Sequence, residues 1–327
     1  MSDRVLITGG NGFLGSHLAR TLRQAGRPVR LLVRPTSDLW RLENLDAEMA
    51  VGDVLLPGTL PEVMAGVGVV YHLAGLLGGA PLPDAAYRDL HINGTLNVLV
   101  TAQAAGVKRF VHVSSPGVLG PIQGPPADER QPHAPSNIYE ATKSQGEKLA
   151  LNFAQRTGLS LVVVRPEFVY GPGDTHVLGL FRAIRNGRFF FIGSGESQVH
   201  PTFVDDAVRG MMLVEAAGQN GRIYHVAGPE PVTVHRLATA VAGALGVPPP
   251  RRRVPRWLAW IGAGVLEMAA LFLPFRPPLT RSGVNFFTET RAFSTARAQA
   301  ELGYEAQVSL DEGVRRTVVW YQERGLL

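Results

Sequence analysis

Arg4-Val5-Leu6-Ile7-Thr8-Gly9-Gly10-Asn11-Gly12-Phe13-Leu14-Gly15 decides how the rest of this chain is read. Arg4–Thr8 has strand character, and Phe13–Gln24 repeats its apolar residues with a helical period. The glycines at 9, 12 and 15 allow a tight turn, close approach to a pyrophosphate, and close packing of helix on strand. The helix start adds free amides and the positive end of its dipole. A glycine pattern by itself describes an ordinary turn. Between a strand and a helix it points to a dinucleotide, with Gly9, Asn11, Gly12, Phe13, Leu14 and Gly15 as the expected contacts.

Apolar β-branched runs then alternate with helical stretches. Strands are expected at Val29–Val33, Ala47–Val51, Val67–Leu73, Arg109–Val113 and Leu159–Val164, and helices at Pro83–Ala105 and Ser136–Arg156. This alternation predicts an α/β fold, a Rossmann-type doubly wound parallel sheet covered on both faces. After Tyr170 the rhythm changes. Short strands at Phe189–Ile192 and Arg222–Val226 mix with helices at Asp205–Ala217 and Val234–Leu245. The expected organisation is a cofactor-binding domain over residues 1–170 and a smaller mixed C-terminal domain over 171–327, mainly for substrate, with the chain crossing back once.

The 327 residues are 45% hydrophobic and 18% charged, enough to bury a substantial core. With no cysteine, a disulfide framework and zinc–thiolate sites are excluded, which suits a reducing cytoplasm; no metal site is expected. No secretory signal is read at the start, where Val5–Thr8 runs straight into the glycine loop. The formal charge is +5, yet the one dense basic cluster is Arg251-Arg252-Arg253 with Arg256, and no nucleic-acid motif accompanies it. Beyond it lies Trp257–Leu273, almost wholly apolar and interrupted by Glu267. It is short for a bilayer span, which takes about 20 residues. Two readings are open: a buried or substrate-covering helix, or an interfacial helix whose arginines face anionic lipid, giving peripheral membrane contact through 251–273.

Tyr139 and Lys143 share a helix face at i and i+4. Alone, such a pair describes an exposed helix face. With the phosphate loop and with Ser114-Ser115 closing a strand, it describes a hydride-transfer site. A phenol is a poor base at neutral pH, and a nearby ammonium is expected to lower its pKa. Ser115 can hydrogen-bond the reacting oxygen. Asp53 could accept from an adenine amino group or cap a helix. Arg34, ending the second strand where an acid would accept from a ribose, suits a 2′-phosphate or sits on the surface.

Taken in order, these motifs resemble the extended short-chain dehydrogenases/reductases. The resemblance runs from the glycine loop through Gly52-Asp53-Val54, His72-Leu73-Ala74-Gly75, Asn93-Gly94-Thr95, Val113-Ser114-Ser115 and Tyr139–Lys143 to Arg165-Pro166, Val169-Tyr170-Gly171-Pro172-Gly173-Asp174 and Phe203-Val204-Asp205-Asp206. It implies NADP or NAD as cofactor, with NADP favoured by Arg34. It implies Ser115, Tyr139 and Lys143 as the catalytic triad, Val54, Leu73, Ala74 and Pro166 along the cofactor, and a homodimer built on the helices at 83–105 and 136–157. Nucleotide-sugar members carry an asparagine and an arginine for the diphosphate; the matching positions here are Phe168 and Val199. Their apolar character, and the C-terminal pattern, resemble the 3β-hydroxysteroid/sterol dehydrogenase and dihydroflavonol reductase branch. The expected reaction interconverts a secondary alcohol and a ketone on a bulky apolar molecule. The rivals are a nucleotide-sugar epimerase or dehydratase, and a cofactor-bound scaffold without turnover.

Overall fold

The computed structural model describes residues 4–78, 82–270, 272, 275, 277 and 279–327. Its centre is a seven-stranded parallel sheet: β1 (Arg4–Thr8), β2 (Val29–Val33), β3 (Glu48–Val51), β4 (Val67–His72), β5 (Arg109–Val113), β6 (Leu161–Pro166) and β7 (Ile223–Val226). The spatial order is β7-β6-β5-β4-β1-β2-β3. The helices that matter here are α1 (Phe13–Gln24), α2 (Thr95–Ala104), α3 (Ile138–Thr157), α4 (Val204–Ala217), α5 (Val234–Leu245), α6 (Arg256–Ala270), α7 (Arg281–Thr288) and α8 (Leu310–Glu323).

Alternation along the strands feeds two cores. Val5, Ile7, Leu31, Val111 and Val162 pack with α1, α4, α5 and α8 on one face, whereas Leu6, Leu32, Val70, Phe110 and Leu161 meet α2 and α3 on the other. The edge strand β3 is mostly exposed and is held by charge, with Glu48 2.8 Å from Arg30.

Tertiary packing moves several expected boundaries. The helix expected at 83–105 is three pieces: Asp84–Arg88, a π-helical segment Asp89–Gly94, and α2. The widened turn lets the His91 carbonyl approach α3 so closely that a Cβ at Gly146 would lie 2.4 Å from it. Asn137 starts α3 later than expected by accepting from the Glu140 amide, while Glu140 reaches back to the Ser136 amide, a reciprocal cap. Gly158, left-handed at φ +76°, stops α3 and delays β6 to Leu161. The apolar stretch expected at Trp257–Leu273 is helical as α6; residues 271 and 273 lie outside the described residues.

Candidate active site

The C-terminal ends of β1, β2, β4, β5 and β6 meet along one edge of the parallel sheet, the side on which such folds hold ligands. There the backbone is packed to its limit. Gly9 has φ +72°, and a Cβ on it would lie 2.8 Å from the Ala74 nitrogen. A Cβ on Gly15 would lie 2.3 Å from the Gly9 oxygen. The turn closes through the Gly12 amide donating to the Gly9 carbonyl at 3.0 Å. No side chain caps α1, so its first amides, at Phe13 and Leu14, are open to an anion. This cradle, which a side chain would fill, fits the pyrophosphate of a dinucleotide.

The other expected cofactor contacts line the same edge. Asn11 donates to the Asp38 carbonyl. Arg34 is exposed beyond β2, its amide held by the Ser37 hydroxyl at 3.0 Å. Asp53 does not cap the helix Leu60–Met64; one carboxylate oxygen accepts from the Leu55 amide at 2.9 Å. Val54 is buried against Gly94. Leu73 and Ala74 leave β4 hydrogen-bonded to the Thr8 carbonyl and hydroxyl, and Pro166 ends β6 beside Val226.

Ser115 follows β5, its hydroxyl accepting from the Gly117 amide at 3.2 Å. Tyr139 and Lys143 occupy the first turns of α3. The expectation that Lys143 lowers the tyrosine pKa is corrected: burial pushes the phenol up, and the neighbouring Ser115 hydroxyl offsets only part of that. Lys143 donates instead to the Val113 carbonyl at 2.7 Å. Burial pushes its ammonium down to about 8, with Glu147 pulling the other way. Around it stand three buried imidazoles, His72, His91 and His112. Desolvation, reinforced by the charge on Lys143, holds them neutral, His91 and His112 down at about 3. A neutral shell lets one cation sit here without a second beside it.

Of the residues bracing this site, His91 and Glu147 carry no motif that marks them in the sequence, whereas Arg165 belongs to the Arg165-Pro166 motif. His91 takes the Leu76 amide on Nε2, pairs through Nδ1 with the Thr142 hydroxyl at 2.8 Å, and sets its ring edge-on to Tyr139. Glu147 lies one turn beyond Lys143, at i+8 from Tyr139, and that spacing was the available signal. It holds the Arg165 guanidinium (Nε to Oε2, 2.9 Å), and both side chains are completely buried. Burial works against the Glu147 carboxylate, yet the hydrogen bonds from His133 and Arg165 hold it below the usual range.

An aromatic cluster adjoins a polar corner built on Glu167 and Arg291. Phe168, with φ +32°, meets Phe286 of α7 edge-on at 5.4 Å. Val199 is completely buried and paired with Val232, so it offers nothing to a diphosphate. Glu167, beside Pro166, could be read from sequence as a substrate contact or as a partner for Arg165; the second reading is corrected, because Arg165 is taken by Glu147, His133 and His225. Glu167 lies instead within electrostatic reach of Tyr139, Glu140 and Arg291. Burial pushes its carboxyl up to about 8; Arg291 opposes the rise and Glu140 adds to it. Arg291 bridges Glu140 at 2.9 Å and leaves its buried Nε without a partner among the described residues.

Comparison with known proteins agrees with this geometry. The chain is 32% identical over 95% of its length to the 4-hydroxy-2-methyl-3-oxo-4-farnesyl-3,4-dihydroquinoline-1-oxide ketoreductase of Stigmatella aurantiaca, covering 94% of that protein. Among solved structures, gox2253 superposes with a TM-score of 0.86 at 30% identity, with both chains covered completely. MoeE5, solved in complex with UDP-glucose and NAD, superposes with a TM-score of 0.78 at 27% identity over 99% of this chain and 100% of its own. Residues 5–227 match the model of the NAD dependent epimerase/dehydratase family. The chain therefore belongs to that family, as an NAD(P)-dependent enzyme of the extended short-chain dehydrogenase/reductase type.

Proposed function

We propose that this enzyme interconverts a secondary alcohol and a ketone on a bulky apolar substrate, using Ser115, Tyr139 and Lys143. The observation that carries this reading is that Phe168, at one of the two positions expected to hold a diphosphate, packs on Phe286, while Val199, at the other, is completely buried. A diphosphate deprived of charged donors binds poorly. The ketoreductase relative, whose named substrate bears a farnesyl chain and a fused ring, supports the same class.

The Gly9–Gly15 cradle would hold the phosphates, Asp53 would accept from an adenine amino group, and Leu73, Ala74 and Pro166 would lie along the cofactor. Arg34, exposed where a carboxylate would favour NAD, supports NADP. A nicotinamide cofactor held at this edge would supply or accept the hydride. The chain handles the proton. Tyr139 Oη gives it to the carbonyl oxygen in reduction and takes it back from the alcohol in oxidation. Ser115 holds the same oxygen by its hydroxyl. Lys143 places a positive charge under the site.

Purified protein is assayed with NADPH and a panel of hydrophobic ketones, alongside thermal shift with UDP-glucose. Turnover of the ketones is expected, falling roughly 10²–10⁴-fold in Tyr139→Phe with no loss of cofactor binding. Stabilisation by UDP-glucose without ketone turnover would replace this reading with a nucleotide-sugar reaction.

A further inference from the structure

Helix α6 is packed the wrong way round for a protein in water. Its inward face is made of small residues: Ala259 and Ala263 are buried against Ile192 and Val284. Its large residues face out. Trp257 (66% exposed), Ile261 (53%), Val265 (64%) and Met268 (59%) stand at helical spacing, and Phe272 (80%) continues the line. An open groove of about 540 Å³ runs along this face beside Trp260, Gly264 and Arg281, with the Arg281 guanidinium 4.1 Å above the Trp260 ring. A continuous apolar stripe of this kind marks a contact surface, since soluble proteins scatter exposed apolar residues singly.

The stripe is bordered by positive charge. Arg251, Arg252 and Arg253 are exposed at the start of the segment, and none is ion-paired among the described residues. Arg256 and Arg281 follow, each near one acid, Glu289 at 3.7 Å and Glu267 at 3.9 Å. At 15 residues α6 is about 23 Å long, less than the roughly 30 Å hydrocarbon thickness of a bilayer. No helix among the described residues is long and apolar enough to cross a membrane.

We infer that α6 is an interfacial anchor, laying Trp257, Ile261, Val265 and Phe272 into the surface of an anionic bilayer while Arg251–Arg253 meet the lipid phosphates. A helix with a wide apolar face, tryptophans and adjoining cations binds in the plane of such an interface. A second copy of the chain fits less well. A two-fold contact would bury the stripe against a copy bordered by the same net positive charge, whereas an anionic bilayer supplies the opposite sign. Helix α7, which packs on α6, carries Phe286 to Phe168, so the anchor and that aromatic pair are continuous through α7.

The test is flotation of the full-length protein with vesicles of phosphatidylcholine containing roughly 30% phosphatidylglycerol, and with phosphatidylcholine alone, read with tryptophan fluorescence. The protein is expected to float with the anionic vesicles, with a blue-shifted emission, and to be released by high salt. Ile261→Glu with Val265→Glu is expected to cut partitioning more than tenfold, and replacing Arg251, Arg252 and Arg253 by Gln roughly a hundredfold, since each basic residue near the surface contributes about a factor of five. Turnover of a water-soluble ketone, where the wild type shows it, should be unchanged in both variants, so the anchor and the chemistry fail separately. Wild type that floats with neither vesicle overturns the inference. So do variants that float as well as wild type. A Glu variant that turns a dimer into a monomer, without vesicle binding by the wild type, assigns the stripe to contact between copies instead.

Discussion

Helices α3 and α6 break the amphipathic rule in opposite senses. Helix α3 turns Glu140, Lys143 and Glu147 inward, each under 10% exposed. Helix α6 turns tryptophan, isoleucine and valine outward. Buried charge is tolerated in α3 because every group has a specific partner: Arg291 for Glu140, the Val113 carbonyl for Lys143, Arg165 for Glu147. Exposed hydrophobes have no such compensation among the described residues and imply a surface outside them. A sequence obeys binary patterning where only stability is at stake, and departs from it where a site or a contact is built.

The comparison can be broken most sharply at Glu147. Glu147→Gln leaves Arg165 buried without its counter-charge and should cost about 3–5 kcal/mol, read from urea unfolding. A loss below 1 kcal/mol would show that water reaches the back of α3. Next comes Glu167→Gln. The folded-state carboxyl pKa of about 8 lies above its ordinary value of 4.5, so the folded protein holds a proton that the unfolded chain releases. Its contribution is complete below the unfolded pKa and is lost as pH rises through about 8. Wild-type stability should therefore fall between pH 5 and 8 relative to the variant, with a slope of at most about 1.4 kcal/mol per pH unit. Parallel stability curves for the two proteins would remove Glu167 from the buried corner.

Gly146→Ala tests the contact between α3 and the π-helical segment. A methyl group 2.4 Å from the His91 carbonyl must force the two apart, costing roughly 1–3 kcal/mol and displacing the ring that braces Tyr139. Stability and ketone turnover should both drop. The smallest effect belongs to α6: Val265→Glu, on its outward face, should change stability by less than about 0.5 kcal/mol. A loss of several kcal/mol in the isolated protein would mean the stripe is already covered.

Local spacing made the cofactor edge readable from sequence. The glycine loop works through contacts a few residues apart, and β5 and α5 fall at Arg109–Val113 and Val234–Leu245 as expected. Tyr139 and Lys143 were readable because four residues make one helical turn. His91, Glu167 and Arg291 were not, because their meaning depends on neighbours 51, 27 and 151 residues away: Thr142, Glu140 and Glu140 again.

By itself the sequence determined the strand–loop–helix cradle and the parallel-sheet class, and it supplied the roles proposed for Ser115, Tyr139 and Lys143. Each of these is written in residue type and short-range period. Tertiary structure alone decided that the phenol is raised rather than lowered, that Arg165 belongs to Glu147, and which face of α6 meets solvent. Desolvation, ion pairing across the chain and helix orientation are properties of packing, and no local pattern encodes them.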